Sequence, residues 1–182
     1  KIDDQNQDDG DDNDASPEDL IGKYYGQLRR VIINELLDEI RSMSPKFFEK
    51  LVLDLLEKMG YGKAEGTPYV NDQGIDGIIK SDKLGLDRIY VQAKRYAGGS
   101  VVGRPEINSF VGAMAGKRGT KGVFITTSHF SQPAIDYANS LSERIILIDG
   151  DELGALLYEY NIGVQKETSY VVKKIDRDYF EE

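Results

Sequence analysis

The hydrophobic positions of the chain follow a helical period in its first third. Apolar residues recur at helical spacing from Leu20 to about Met43, and they form a second, wider apolar face after Pro45. Each of the two segments opens with a serine followed by a proline, at Ser16 and at Ser44, which is typical of a helix N-terminus. The pattern therefore predicts two consecutive helices.

Further along the chain, short β-rich runs alternate with helical ones. Residues 75–80 and 88–94 read as two strands joined by a turn-rich segment, which predicts a hairpin. We then predict helices over 105–116, 131–141 and 151–160, with buried strands over 121–127 and 144–148. This alternation favours an α/β fold with a mixed β-sheet flanked by helices. The last twenty residues predict an edge strand or an extended tail.

The composition excludes several classes of function. The chain of 182 residues is long enough for one ordinary domain, and it contains no cysteine and one histidine. Disulfides, cysteine-zinc sites, thiol nucleophiles and multi-histidine metal sites are therefore excluded. No apolar run has the length of a membrane span, so we expect no membrane partner and a cytoplasmic location.

The net charge of −9 is unevenly distributed. Residues 1–19 hold nine acids and one base, a balance of −8, so the other residues carry −1. Residues 1–17 are expected to be a disordered acidic linker or tail, because they contain almost no apolar side chains. Residues 80–122 hold nine bases and three acids, a local charge of +6 that permits a polyanionic partner.

One group of residues has the chemistry of metal-assisted hydrolysis. Asp76 opens the first predicted strand of the hairpin, whereas Gln92 and Lys94 lie on one face of the second. Paired strands would bring the three side chains together. Carboxylate and amide oxygens suit a hard cation such as Mg²⁺, and a lysine can orient the attacking water. Taken alone, these residues are more typical of a solvated strand face with one salt bridge.

The surrounding sequence resembles the catalytic domain of the Mrr family, restriction endonucleases of the PD-(D/E)xK superfamily that act in type IV, modification-dependent restriction. The resemblance rests on motifs that occur in the family's order: Phe48-Glu49-x-Leu51-Val52, residues 72–79, residues 89–96, residues 122–128 and residues 148–150. It implies a restriction-endonuclease-like fold with the site at one sheet edge. It also implies Mg²⁺-dependent cleavage of DNA, with Mn²⁺ as a possible substitute.

The resemblance assigns roles to individual residues. Asp76 corresponds to the first carboxylate, Gln92 and Lys94 to the second half-motif, and Glu49 to a glutamate that many superfamily members add to the site. Asp76, Gln92 and Glu49 would then be the metal ligands. Most of the superfamily has Asp or Glu at the position of Gln92, although Mrr-type members have Gln. For Glu49, a solvated surface role is the alternative.

The resemblance also implies partners and a domain arrangement. Residues 18–43 would form an N-terminal helix and residues 44–182 the endonuclease domain, acting on double-stranded, methylated DNA as a homodimer or higher homo-oligomer. The domain that recognises the modified base is expected outside this chain. The candidate DNA contacts are Lys80, Arg95, Arg104, Lys117 and Arg118. Two alternatives stay open, namely a catalytically silent DNA-binding or assembly module and a nuclease for RNA or branched DNA.

Overall fold

The computed structural model describes residues 15–66, 74–97 and 99–181. The strands in this part of the chain are β1 (Lys63–Gly66), β2 (Gly77–Lys80), β3 (Arg88–Lys94), β4 (Val101–Val102), β5 (Lys121–Thr126), β6 (His129–Phe130) and β7 (Arg144–Ile148). Five of them form the main sheet in the order β1-β2-β3-β5-β7, and β4 pairs with β6. The first three strands pair antiparallel, whereas β3, β5 and β7 run parallel, so the sheet is mixed.

Helices cover both faces of the main sheet. They are α1 (Pro17–Ser42), α2 (Pro45–Lys58), α3 (Arg104–Gly116), α4 (Gln132–Ser140) and α5 (Gly150–Glu159), with a single 3-10 turn at Asp178–Phe180. The predicted starts of the first two helices are confirmed, since the hydroxyls of Ser16 and Ser44 accept hydrogen bonds from backbone N–H groups three residues ahead. Among the described residues, no helix combines the length and apolarity that crossing a bilayer requires.

The core consists of two layers, one on each face of the sheet. Side chains of α1, α2 and α5 pack on one face, where Phe48, Leu55 and Leu157 are fully buried. Side chains of α3 and α4 pack on the other face around Phe110 and Phe124. The side chains of β3 alternate between the two layers, as the strand period requires. The predicted α/β class with a helix-flanked mixed sheet is confirmed.

The structure differs from the predicted elements at short strands. The strand β7 agrees with prediction, whereas β2 starts at Gly77 instead of residue 75. The strands β1, β4 and β6 were not predicted, because segments of two to four residues are too short for the alternation of side chains to show. Most of the acidic segment expected to be disordered, residues 1–14, lies outside the described residues, as does Asp72.

Candidate active site

The hairpin of β2 and β3 brings Asp76 against Gln92. Because Gly77 pairs with Val91 in this antiparallel ladder, the preceding Asp76 lies opposite Gln92. The Asp76 N–H donates to the Val91 carbonyl at 2.8 Å, and the Ala93 N–H donates to Asp76 Oδ2 at 2.7 Å. The Gln92 side chain is buried and its Nε2 donates to the same oxygen at 3.3 Å. The carboxylate is therefore fixed at the open end of the hairpin.

Two further predicted side chains reach this carboxylate. Lys94 follows Gln92 on the same face of β3 and is exposed at the end of the strand. Glu49 comes from α2, which packs on the face of the sheet opposite to the Gln92 side chain, and it is half-buried. The charges of Asp76 and Lys94 both act on Glu49, so all four predicted residues lie within electrostatic reach at one place.

The environment shifts both carboxyl groups toward protonation. Desolvation by burial raises the pKa of Asp76 above its ordinary value, and the Ala93 N–H, Lys94 and the Gln92 amide offset part of that rise. Desolvation likewise raises the pKa of Glu49, and the nearby Asp76 carboxylate raises it further, against opposing effects of Lys46 and Lys94. Two carboxylates that are costly to ionise together favour a cation between them.

The donor set fits a hard divalent cation. Asp76 and Glu49 supply carboxylate oxygens and Gln92 supplies one amide oxygen, which are the ligand types that Mg²⁺ and Mn²⁺ take. The Gln92 amide is oriented with its nitrogen toward Asp76, and its Oε1 points toward Gly74. In this orientation the amide holds the carboxylate in place, and ligation through its oxygen requires a rotation of the amide group.

The cost of ionising Glu49 makes a prediction for stability. We expect Glu49→Gln to raise the melting temperature by about a degree or two in EDTA near neutral pH, kept small because solvent screens this half-exposed group. The folded-state pKa is raised, so the penalty is present above that pKa and vanishes as the pH falls below the unfolded value. Thermal melts at about pH 7 and about pH 4 test this, with the exposed Glu159→Gln as control. If Glu49→Gln and the unmutated chain have equal melting temperatures at each of the two pH values, the prediction is wrong.

Gly74 is a site residue whose role the sequence did not reveal. Its φ of +100° lies in a region that side chains other than glycine rarely adopt, and a Cβ built there would lie 2.9 Å from Gln92 Oε1. The turn thus approaches the buried amide too closely for a side chain. The signal available in the sequence was the glycine directly before the Ile75-Asp76 pair.

We expect Gly74→Ala to destabilise the fold and to slow cleavage. The strained backbone costs about 1–3 kcal/mol, and the new methyl group displaces the Gln92 amide from Asp76. The matched control is Gly112→Ala, because Gly112 lies in α3 with no atom within 4 Å of an added Cβ. Denaturant unfolding and nicking assays measure both effects. Unchanged nicking by the Gly74 variant would show that the amide position is immaterial.

Threonine hydroxyls fix the strand ends beside Lys94. Thr126 Oγ1 donates to the Lys94 carbonyl at 2.8 Å, and Thr127 Oγ1 accepts from the Tyr96 N–H at 2.9 Å. Arg41, in the last turn of α1, donates from Nη2 to the Thr127 carbonyl at 3.0 Å. These hydroxyls are engaged within the protein and hold the segment after Lys94 in place.

The five predicted DNA contacts are spread over the surface. Arg104 starts α3, on the side of the sheet where β3 ends, and its guanidinium lies 4.7 Å from the centre of the Tyr137 ring. Lys117 and Arg118 follow α3 at its far end, near the start of β5. Lys80 ends β2 far from Asp76 and forms an ion pair with Glu65 at 2.6 Å.

Arg95 differs in orientation from the other four. It is half-buried, its Nη1 donates to the Arg41 carbonyl at the end of α1, and its Nε is a buried nitrogen without a described partner. Its guanidinium thus faces the C-terminal turn of α1, whose carbonyl groups favour a cation. The sequence did not show this, because the two residues are 54 positions apart.

A second group of possible metal ligands lies at the start of α5. Ligand atoms of His129, Asp149 and Asp151 all lie within 4.8 Å of one another. Asp149 also caps α5 through the Glu152 N–H, and His129 is exposed. His129 lies in β6, which follows β5 directly.

Comparison with known proteins identifies the family. The Mrr_cat family model, described as a restriction endonuclease, matches residues 40–157. The chain is 43% identical over 174 residues to the type IV methyl-directed restriction enzyme EcoKMrr of Escherichia coli K12, covering 92% of this chain and 55% of that enzyme. The chain thus spans about half the length of this curated relative.

Solved structures agree on the fold. The modification-dependent restriction endonuclease AspBHI aligns with 75% of this chain and 36% of its own, at a TM-score of 0.59 and 21% identity. The restriction endonuclease MspJI, solved with a 27-mer oligonucleotide, aligns with 73% of this chain and 32% of its own, at a TM-score of 0.55 and 22% identity. The predicted restriction-endonuclease-like fold is confirmed, and the chain belongs to the Mrr-type restriction endonucleases.

Proposed function

We propose that this chain hydrolyses DNA phosphodiester bonds with a divalent cation, Mg²⁺ or Mn²⁺, held by Asp76, Glu49 and the Gln92 amide. The observation that carries the proposal is the Asp76 carboxylate held opposite Gln92 at the open end of the β2–β3 hairpin, with Lys94 exposed at the end of β3 and the Glu49 carboxyl group within range of both charges. Membership of the Mrr-type restriction endonucleases supports the same reaction.

Each residue has a distinct task in the proposed reaction. A cation at the three oxygens would polarise the phosphoryl group and lower the pKa of a bound water. The Ala93 N–H holds the Asp76 carboxylate in position. The Gln92 amide, which donates to the same carboxylate in this structure, would rotate to present its oxygen to the cation. Lys94 would hold the attacking water by hydrogen bonding and balance the negative charge that develops on the phosphate. Its exposure at the strand end leaves it accessible to a duplex.

We further propose double-stranded, methylated DNA as the substrate and the cytoplasm as the location. The E. coli relative is described as methyl-directed, and residues 80–122 carry a local charge of +6 that suits the phosphate backbone. Residues 18–43 would be a helix preceding an endonuclease domain of residues 44–182. Cutting both strands needs two such sites, so we propose a homodimer or a higher homo-oligomer.

The test of this function is a plasmid assay. We expect the chain to convert supercoiled plasmid to nicked or linear forms in Mg²⁺ or Mn²⁺ and to be inactive in EDTA. Single-stranded RNA and a four-way DNA junction of equal concentration serve as competing substrates. Duplex binding without cleavage in either metal would favour the silent module instead, and faster cleavage of RNA or the junction would favour those nuclease activities.

The isolated chain is expected to discriminate poorly between methylated and unmethylated duplexes. Reading a methyl group needs base-edge contacts or a pocket for an extruded base, and we propose that the exposed basic residues described above contact the phosphate backbone. Affinity should fall steeply with salt, because counterion release dominates such binding. Binding titrations of both duplexes at two salt concentrations measure this. A preference for methylated DNA above about tenfold would show that residues of this chain recognise the modified base.

A further inference from the structure

The C-terminal tail, defined as residues 165–181, leaves the domain and is exposed throughout. It carries large apolar side chains that are 66–90% exposed: Tyr170, Val171, Val172, Ile175, Tyr179 and Phe180. Apart from one turn at residues 177–181, its backbone groups form no backbone hydrogen bond with the described residues. Exposed β-branched and aromatic side chains beside unpaired peptide groups are typical of a segment that binds another surface.

Helix α1 presents an apolar surface on the side away from the core. Its buried residues, Ile33, Leu37 and Ile40, face the domain. On its outer side Ile21, Leu28 and Val31 are 51–58% exposed. This outer surface continues into a groove of about 430 Å³ between α1 and α2. The groove contains Ile32, Leu36, Met43 and Phe47, with Glu35 and Glu39 also on its lining.

We propose that the tail of one copy of this chain binds the α1–α2 groove and the outer side of α1 of a second copy. The inference rests on the proposed homo-oligomer and names its contact surfaces. Gly163 and Val164 line the groove of their own copy, but every residue from Gln165 onward is exposed, so the tail leaves its own groove. A reciprocal exchange would cover both tails and both grooves in one symmetric contact.

Length and charge fit this arrangement. The 17 described residues of the tail reach about 56 Å when extended, at about 3.3 Å per residue. The 26 residues of α1 span about 39 Å, so the tail can follow the whole helix of a neighbour. Lys173 and Lys174 follow the Tyr170–Val172 cluster, and the groove carries Glu35 and Glu39. An apolar stretch followed by two cations thus matches an apolar groove with two acids.

Cross-linking distinguishes a neighbour's groove from the tail's own. The chain has no cysteine, so single thiols introduced by Phe47→Cys in the groove and Val172→Cys in the tail react without background. Mixing the two variants, with tags of different size, and adding a short bismaleimide should give the mixed dimer. Lys83→Cys, in the β2–β3 turn, replaces Phe47→Cys as the control and should give none.

Sedimentation equilibrium tests the charge pairing without any nuclease assay, so this inference can fail while the proposed cleavage holds. We expect Lys173→Glu with Lys174→Glu to weaken self-association at least tenfold, and Glu35→Lys with Glu39→Lys to do the same. Combining all four changes should restore it, whereas Asn34→Lys on the same helix should have no effect. A monomeric unmutated chain would overturn the proposal. So would a cross-link that forms when Phe47→Cys and Val172→Cys are combined in one chain but not when the two single variants are mixed.

Discussion

Replacing Asp76 or Lys94 with alanine is expected to reduce DNA cleavage by at least a thousandfold. In the proposed mechanism Asp76 anchors the cation and Lys94 the attacking water, so each substitution would remove an interaction that matters most in the transition state. A thousandfold loss corresponds to about 4 kcal/mol, at about 1.4 kcal/mol per tenfold. Because Lys94 is exposed and the Asp76 carboxyl is costly to ionise, neither change should prevent folding.

Matched control variants distinguish the loss of a residue of the proposed site from the mere loss of a charge. Asp54→Ala, on the exposed side of α2, and Lys83→Ala, in the exposed β2–β3 turn, remove the same charges away from the site. Lys94→Ala, Asp54→Ala and Lys83→Ala should keep the melting temperature of the unmutated chain, whereas Asp76→Ala should fold with a lower one because the Ala93 N–H loses its acceptor. Only Asp76→Ala and Lys94→Ala should lose nicking of supercoiled plasmid. Nicking by either site variant at the rate of its control would exclude that residue from the reaction.

Gln92→Glu is expected to tighten Mg²⁺ binding by at least tenfold. The change adds a full charge to a site where two carboxyl groups already favour a cation. Without metal it should lower the melting temperature, because a buried acid would face Asp76 where an amide now donates a hydrogen bond at 3.3 Å. The prediction sets no direction for the cleavage rate, because the geometry of the site and the pKa of the bound water would change together.

Calorimetric titration with Mg²⁺ measures this affinity directly, and thermal melts in EDTA measure the cost of the added charge. Gln27→Glu, on the exposed surface of α1, adds the same charge far from the site and should alter neither. An affinity that is unchanged or weaker in the Gln92 variant would show that position 92 orients Asp76 and takes no part in ligation.

Short-range sequence patterns were sufficient to predict the two strands of the hairpin and the side chains that meet there. The parity of β3 puts Gln92 and Lys94 on one face, and the turn-rich segment after residue 80 predicts the pairing that brings Asp76 opposite Gln92. Serine caps followed by proline likewise located the starts of α1 and α2. Each of these signals lies within about five residues of the feature it predicts.

Contacts between distant segments were not accessible in the same way. The inward position of Arg95 depends on the end of α1, and the approach of Glu49 to Asp76 depends on how α2 crosses the sheet. The clamp of Arg41 on Thr127 joins residues 86 positions apart. The need for glycine at position 74 arises from the buried Gln92 amide and a positive φ, and neither is encoded in neighbouring residues.

The location of the cation tests the central claim most directly, because the described residues include two groups of possible ligands. Substoichiometric Mn²⁺ can be added to the isotopically labelled chain while amide NMR signals are monitored for paramagnetic broadening. We predict the strongest broadening at Glu49, Asp76 and Gln92, and its loss in Asp76→Asn. Broadening centred on His129 and Asp149, unchanged in that variant, would contradict a catalytic cation site at the β2–β3 hairpin.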